Sequence, residues 1–176
     1  MRIPLRAAPS DETDWEEARE LAWRVFLADV LPDCEPQARE VFHRFLHSAS
    51  LIGRIRDGGY RLYVVRNQEA PGTRGAQQQS PVIGMMLVRD RHHIAALFVD
   101  SSLQHRGAGR ALITEACTFC RMLGETDALT VNASPGGRGF YERMGFAAVR
   151  EEQLEDGMRF VPMARPAGPN NEGVFQ

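Results

Sequence analysis

Leu97-Phe98-Val99-Asp100-Ser101-Ser102-Leu103-Gln104-His105-Arg106-Gly107-Ala108-Gly109-Arg110 is the stretch whose reading decides the fold. An apolar strand runs into a short polar loop, and two glycines then open a helix. The first turn of a helix presents unpaired N–H groups and the positive end of its dipole. Glycines let a phosphate come close to that backbone, so a strand, loop and helix in this order can cradle an anion. Arg106 and Arg110 can add charge-assisted bonds to phosphate oxygens.

Downstream of this stretch the helix runs to about Leu123, with Gly124 placed to end it. Leu129–Ala133 reads as a strand, Pro135–Gly139 as a glycine-rich turn, and Phe140–Met144 as a short helix stopped by Gly145. Phe146–Arg150 and Met158–Met163 read as a final hairpin joined across Asp156-Gly157. Upstream, His93–Val99 is a strongly apolar strand that follows Val82–Arg89 through a turn at Asp90-Arg91. Tyr60–Arg66, rich in Tyr and Val, precedes them as another strand. The aperiodic segment from Asn67 to Pro81 reads as a flexible loop. Two amphipathic helices come first. One is opened by a capping box at Thr13-x-x-Glu16, carries Trp15, Ala18, Leu21, Ala22, Val25 and Phe26, and ends at Pro32. The other starts near Pro36 and carries Ala38, Val41, Phe42, Phe45 and Leu46. Ile3 and Leu5 suggest an edge strand before them.

This order predicts an α/β fold of the α+β type: a mixed, largely antiparallel central sheet flanked by helices, with one parallel crossover between residues 93 and 133. The 176 residues suit a single domain over 1–165, with a disordered tail over 166–176. Hydrophobic residues at 43% and charged residues at 25% are near globular averages and exclude wholesale disorder. A net charge of -2, from 21 basic and 23 acidic side chains, argues against nucleic acid as the main partner. No run approaches the roughly 20 apolar residues that span a bilayer, and the first residues lack the apolar core of a signal peptide. Three cysteines leave no complete disulfide framework, and a reducing cytoplasm is the expected setting.

Which phosphate ligand the loop takes is narrowed by what it lacks. A P-loop requires Gly-Lys-Ser/Thr where Arg110-Ala111 stands, and a dinucleotide fingerprint requires a third glycine where Leu112 stands. Gln104-x-x-Gly107-x-Gly109, after an apolar strand and before an amphipathic helix, instead resembles the pyrophosphate loop of the GNAT (GCN5-related N-acetyltransferase) family. Leu129-Thr130-Val131-Asn132-Ala133-Ser134 followed by Gly139-Phe140-Tyr141-Glu142-Arg143-Met144-Gly145-Phe146 is similar to that family's later strand and helix. The likeness covers about residues 82–150; before it, only the order of elements agrees.

The resemblance implies an N-acetyltransferase that uses acetyl-CoA as cosubstrate and a small-molecule or peptide amine as acceptor, and it leaves room for a homodimer. It implies that strands His93–Val99 and Leu129–Ala133 splay apart to admit the pantetheine arm. Leu97, Phe98 and Val99 would then meet the arm and acyl group through their backbone. Gln104, His105, Arg106, Gly107, Ala108, Gly109 and Arg110 would hold the pyrophosphate, and Asn132 and Ser134 would flank the arm. Tyr141 takes the role of acid toward the leaving thiolate: a phenol of pKa about 10 stays protonated beside a thiol of about 8.5. A lysine-like amine of pKa about 10.4 is neutral only about once in 2,500 molecules at pH 7, so a base would help. Some family members carry a glutamate at the start of the strand before the loop. Counting back from Gln104 puts His93 there, either as base or as a surface histidine beside His92. A non-catalytic acyl-CoA-binding module is the alternative reading.

Other groupings read as structural. Cys117-x-x-Cys120 has no second pair and shares a buried helix face with Ile113. His43 and His47, with Cys34 nearby, fall opposite the apolar face of their helix. No metal is expected. Asp29, Asp33 and Glu35 cluster between the first two helices, where they could attract a cationic amine or simply form a solvated loop.

Overall fold

Tyr60–Arg66 is buried on both faces: Leu62 and Val64 point into one core, Tyr63 and Val65 into another. Such a strand reads as a continuous apolar run and must sit in the middle of a layered structure. In the computed structural model, which describes residues 7–67, 80–123 and 128–166, it does. The strands are β1 (Ala7–Ser10), β2 (Tyr60–Arg66), β3 (Val82–Arg89), β4 (His93–Val99), β5 (Leu129–Ala133), β6 (Ala147–Ala148), β7 (Gln153–Glu155) and β8 (Met158–Arg165). They run in the order β1-β2-β3-β4-β5-β8-β6, with β7 also pairing β8. All pairs are antiparallel except β4 with β5.

Helices α1 (Trp15–Val25), α2 (Ala38–Leu46) and α3 (Ala49–Arg56) cover one face, burying Trp15, Phe26, Phe42, Leu46 and Leu51 against Leu62, Met85 and Leu87. Helices α4 (Ala108–Met122) and α5 (Arg138–Arg143) cover the other, where Leu112, Ile113 and Tyr141 pack on Met86, Ile94 and Val131. The expected mixed, largely antiparallel sheet flanked by helices is therefore the observed architecture.

Three local expectations are corrected. Thr13 does not cap α1: the Asp11 carboxylate accepts from the Thr13 N–H at 2.8 Å and from its hydroxyl at 2.6 Å, while Glu16 pairs with Arg19. A carboxylate is the stronger acceptor, and it stands one short 3-10 turn earlier. Helix α3 extends the helical region beyond Leu46. It buries only Leu51 and Ile55, too few positions to print a period on the sequence. The turn at Asp156-Gly157 joins β7, not Phe146–Arg150, to β8; Ala147 and Ala148 pair farther along, with Ala164 and Met163. Asp156 and Gly157 both have positive φ, as a two-residue hairpin turn requires, but the largely exposed Gln153–Glu155 carries no apolar alternation to announce a strand. The Ile3–Leu5 strand, most of the 67–81 loop, Gly124 and the tail after Pro166 lie outside the described residues.

Candidate active site

Strands β4 and β5 pair only at His93↔Thr130 and Ile94↔Val131, although β4 continues to Val99 and β5 to Ala133. Each keeps its outer partner: β3 follows β4 to Val99, and β8 follows β5 to Ala133. The register between β3 and β4 shifts across Ala95, so a bulge sits just where β5 departs. Bulges bend a strand and strengthen its twist, which accounts for the parting. The inner edges of Leu97–Val99 and of Asn132–Ala133 are left facing one another across a gap.

The glycine loop lies at the mouth of this gap. Asp100 begins it, accepting from the Ser102 N–H at 3.0 Å and hydroxyl at 2.6 Å and pairing with Arg24 at 2.6 Å. Hydrogen bonds from Ser102, and then Arg24, hold the Asp100 carboxyl below the ordinary carboxylate range. His105 and Gly107 turn the chain with φ of 61° and 98°. The first bond inside α4 runs from the Ala111 N–H to the Gly107 carbonyl at 2.9 Å, so the Ala108 and Gly109 amides have no acceptor within the helix. Gly109 has a packing reason as well: a Cβ there would come within 2.9 Å of the Phe140 ring. Loop and α5 are thus in direct contact.

A cleft of about 1180 Å³ runs through the gap and is lined by residues from both faces of the sheet. Leu97, Phe98, Val99, Gln104, His105, Gly107, Ala108, Gly109, Arg110, Asn132, Ser134 and Tyr141 all line it. Ser134 does so while its hydroxyl accepts from the Gly137 N–H at 3.2 Å, which starts the turn into α5. Tyr141 is 7% exposed, with its ring edge-on to Phe140 and Phe146 at 5.1 and 5.4 Å. Burial pushes its phenol above the ordinary value, so it keeps its proton throughout the neutral range.

This geometry agrees with the chain's match to the family described as the acetyltransferase (GNAT) domain, over residues 30–166. The chain belongs to the GNAT family. The peptidyl-lysine N-acetyltransferase YjaB of Salmonella typhimurium is 30% identical over 91 residues, or 50% of this chain and 58% of that protein. The match thus spans little more than half the length of that curated relative. A GCN5-related N-acetyltransferase from Rhodopseudomonas palustris superposes with a TM-score of 0.72 at 16% identity, covering 94% of this chain and 98% of that one. The PaiA N-acetyltransferase of Thermoplasma acidophilum, solved with coenzyme A, gives 0.65 at 15% identity over 93% and 99%. At such identities the likeness is one of fold.

Two residues singled out from the GNAT resemblance are not brought to the cleft. Arg106 is exposed and lies outside its lining, whereas Arg143 of α5 lines it. His93 also lies outside it, at the end of β4 away from the glycine loop; its Nδ1 shares a 2.9 Å hydrogen bond with the Thr130 hydroxyl. Burial first, then Arg89 and His92, lower its pKa from 6.5 to about 4. In this GNAT chain the α1–α2 side of the cleft is lined by Phe26, Val30, Phe42, Met158 and Phe160 together with Asp29, Glu155 and Asp156. Sequence reasoning had only Asp29 in view. The others come from two segments some 120 residues apart that meet where the Glu35 N–H donates to the Gly157 carbonyl at 2.9 Å. A Cβ on Gly157 would collide with Gln37 and come within 3.0 Å of the Ala38 nitrogen, so glycine lets these segments close on each other.

The remaining groupings are packing features. Cys117 Sγ accepts from Arg165 at 3.3 Å, and Cys120 donates to the Arg91 carbonyl at 3.2 Å. His43 and His47 stack at 4.0 Å on the exposed side of α2. Among the described residues no group of three or more His, Cys, Asp or Glu is arranged to hold a metal ion, and no helix is long and apolar enough to cross a membrane.

Proposed function

We propose that this protein transfers the acetyl group of acetyl-CoA to a primary amine by direct attack in a ternary complex. The observation that carries the reading is the parting of β4 and β5 after Ile94, with a glycine loop at its mouth and the Tyr141 phenol in the same cleft. Coenzyme enters from the α4–α5 face, with its diphosphate on the amides from His105 to Arg110. The unpaired inner edge of β4 meets the pantetheine arm, and a backbone N–H there polarises the thioester carbonyl. The acceptor enters from the α1–α2 face as an ammonium ion, loses a proton to water and attacks the carbonyl carbon as the neutral amine. As the C–N bond forms and the C–S bond breaks, the attacking nitrogen gives a second proton to water and is left as the neutral amide; the thiolate takes the Tyr141 proton, and solvent restores the phenol.

An acceptor amine that is cationic in bulk water suits an entrance lined by Asp29, Glu155 and Asp156. Peptidyl-lysine, the acceptor class of the Salmonella relative, is the first to test. The reducing cytoplasm expected from the cysteine count belongs to the same reading. Thiol release from acetyl-CoA over a panel of lysine peptides, polyamines and small amines provides the measurement. We expect turnover with at least one acceptor, lowered about 10²-fold or more in Tyr141→Phe with coenzyme affinity kept. Coenzyme binding without turnover on any amine would leave a non-catalytic acyl-CoA module instead.

A further inference from the structure

Helix α1 does not simply stop at Val25. Phe26–Val30 forms a wider π turn, a feature found often at functional sites. Phe26 stays fully buried in the core, while Asp29 reaches across to the glycine loop. One carboxylate oxygen of Asp29 accepts from the Ser101 hydroxyl at 2.7 Å and from the Gln104 side-chain amide at 3.1 Å. The same Gln104 nitrogen also donates to the Val99 carbonyl at 3.4 Å. The Asp29 carbonyl also lies 4.0 Å from where a Gly136 Cβ would stand, in the turn that leads to Tyr141. A single residue of the acceptor-side helix therefore touches the coenzyme loop and abuts the turn that carries the acid.

We propose that Asp29 is a positioning residue that fixes Ser101 and Gln104 before acetyl-CoA arrives, so that the acceptor-side helix sets the conformation of the coenzyme loop. This rests on the acetyl-CoA reading given above. Two effects oppose one another. A negative charge near a diphosphate disfavours binding, whereas a loop ordered in advance favours it, because less freedom is lost when the ligand docks. Here the carboxylate is spent on two hydrogen bonds from the protein, and charge-assisted bonds of this kind are the strong ones. Ordering therefore outweighs repulsion.

Calorimetric titration with acetyl-CoA of the wild type, Asp29→Ala, Asp29→Asn, Gln104→Ala and the Asp29→Ala/Gln104→Ala pair tests this, with thermal melts of each. Asp29→Ala should weaken coenzyme binding about fivefold or more with little change in melting temperature, since its side chain is exposed. Asp29→Asn, which keeps an acceptor for Ser101, should weaken it less. In the double variant Gln104→Ala should add little, because the two residues act as one unit. Unchanged or tighter binding by both Asp29 variants, or full additivity with Gln104→Ala, would overturn the inference while wild-type binding left the acetyl-CoA reading intact. No binding by the wild type would remove both.

Discussion

His93 and Tyr141 show how burial acts on single groups here. His93 lies where β4 and β5 are still paired, one residue before their last rung at Ile94↔Val131, hydrogen-bonded to Thr130 and beside the positive Arg89. The fold favours its neutral form, since its pKa falls from 6.5 to about 4. Its contribution to stability is complete above about pH 6.5 and is lost as the pH drops through that interval toward 4. Melts followed by circular dichroism should therefore show a steeper fall in melting temperature between pH 6.5 and 4.5 for the wild type than for His93→Gln. Counting back from Gln104 locates His93 on the right strand, yet the sequence cannot say at which residue two distant strands part. That point depends on the bulge at Ala95, and nothing in Ile94-Ala95-Ala96 announces it. The place of Tyr141 in the cleft was legible because its neighbours, from Gly139 to Phe146, form a compact motif within one short helix and its stop.

At the scale of elements, the two loop glycines serve for different reasons. Gly107 has φ of 98° with open space around it, so a side chain there is strained by the backbone alone. Gly107→Ala should cost about 1–2 kcal/mol, seen as a drop of a few degrees in melting temperature. Gly109 sits in the first turn of α4, where alanine is preferred to glycine by at most the ~1 kcal/mol of a helix interior, but a Cβ would press the Phe140 ring at 2.9 Å. Gly109→Ala should thus leave stability nearly unchanged while displacing α5 and lowering turnover about tenfold, since Tyr141 adjoins Phe140. Gly109→Ala/Phe140→Leu, which removes the colliding ring atoms, should recover much of that loss. Thiol-release rates beside melting curves separate the two mechanisms. The sequence marks both glycines as loop-forming, but only the packing of α4 on α5 separates them.

Over the whole molecule, the central strands were legible, β2 from its Tyr and Val and β4 from its strongly apolar run, and so was the crossover through α4. What escaped was what solvent-exposed or distant segments build together. The β7–β8 hairpin and the α1–α2 connection carry polar residues that look like ordinary surface, yet they close on each other at Gly157 and frame one side of the cleft. Hydrophobic periodicity cannot report such a meeting, because little apolar area drives it. On the proposed reading the sheet itself supplies the coenzyme's place: two central strands, each secured by its outer neighbour, with a gap between them. A ¹H–¹⁵N spectrum recorded during titration with acetyl-CoA tests that claim most directly. The largest shifts should fall on the amides of Leu97–Val99, Gly107–Arg110 and Asn132–Ala133. Saturable binding that moved other amides and left these three segments still would contradict it.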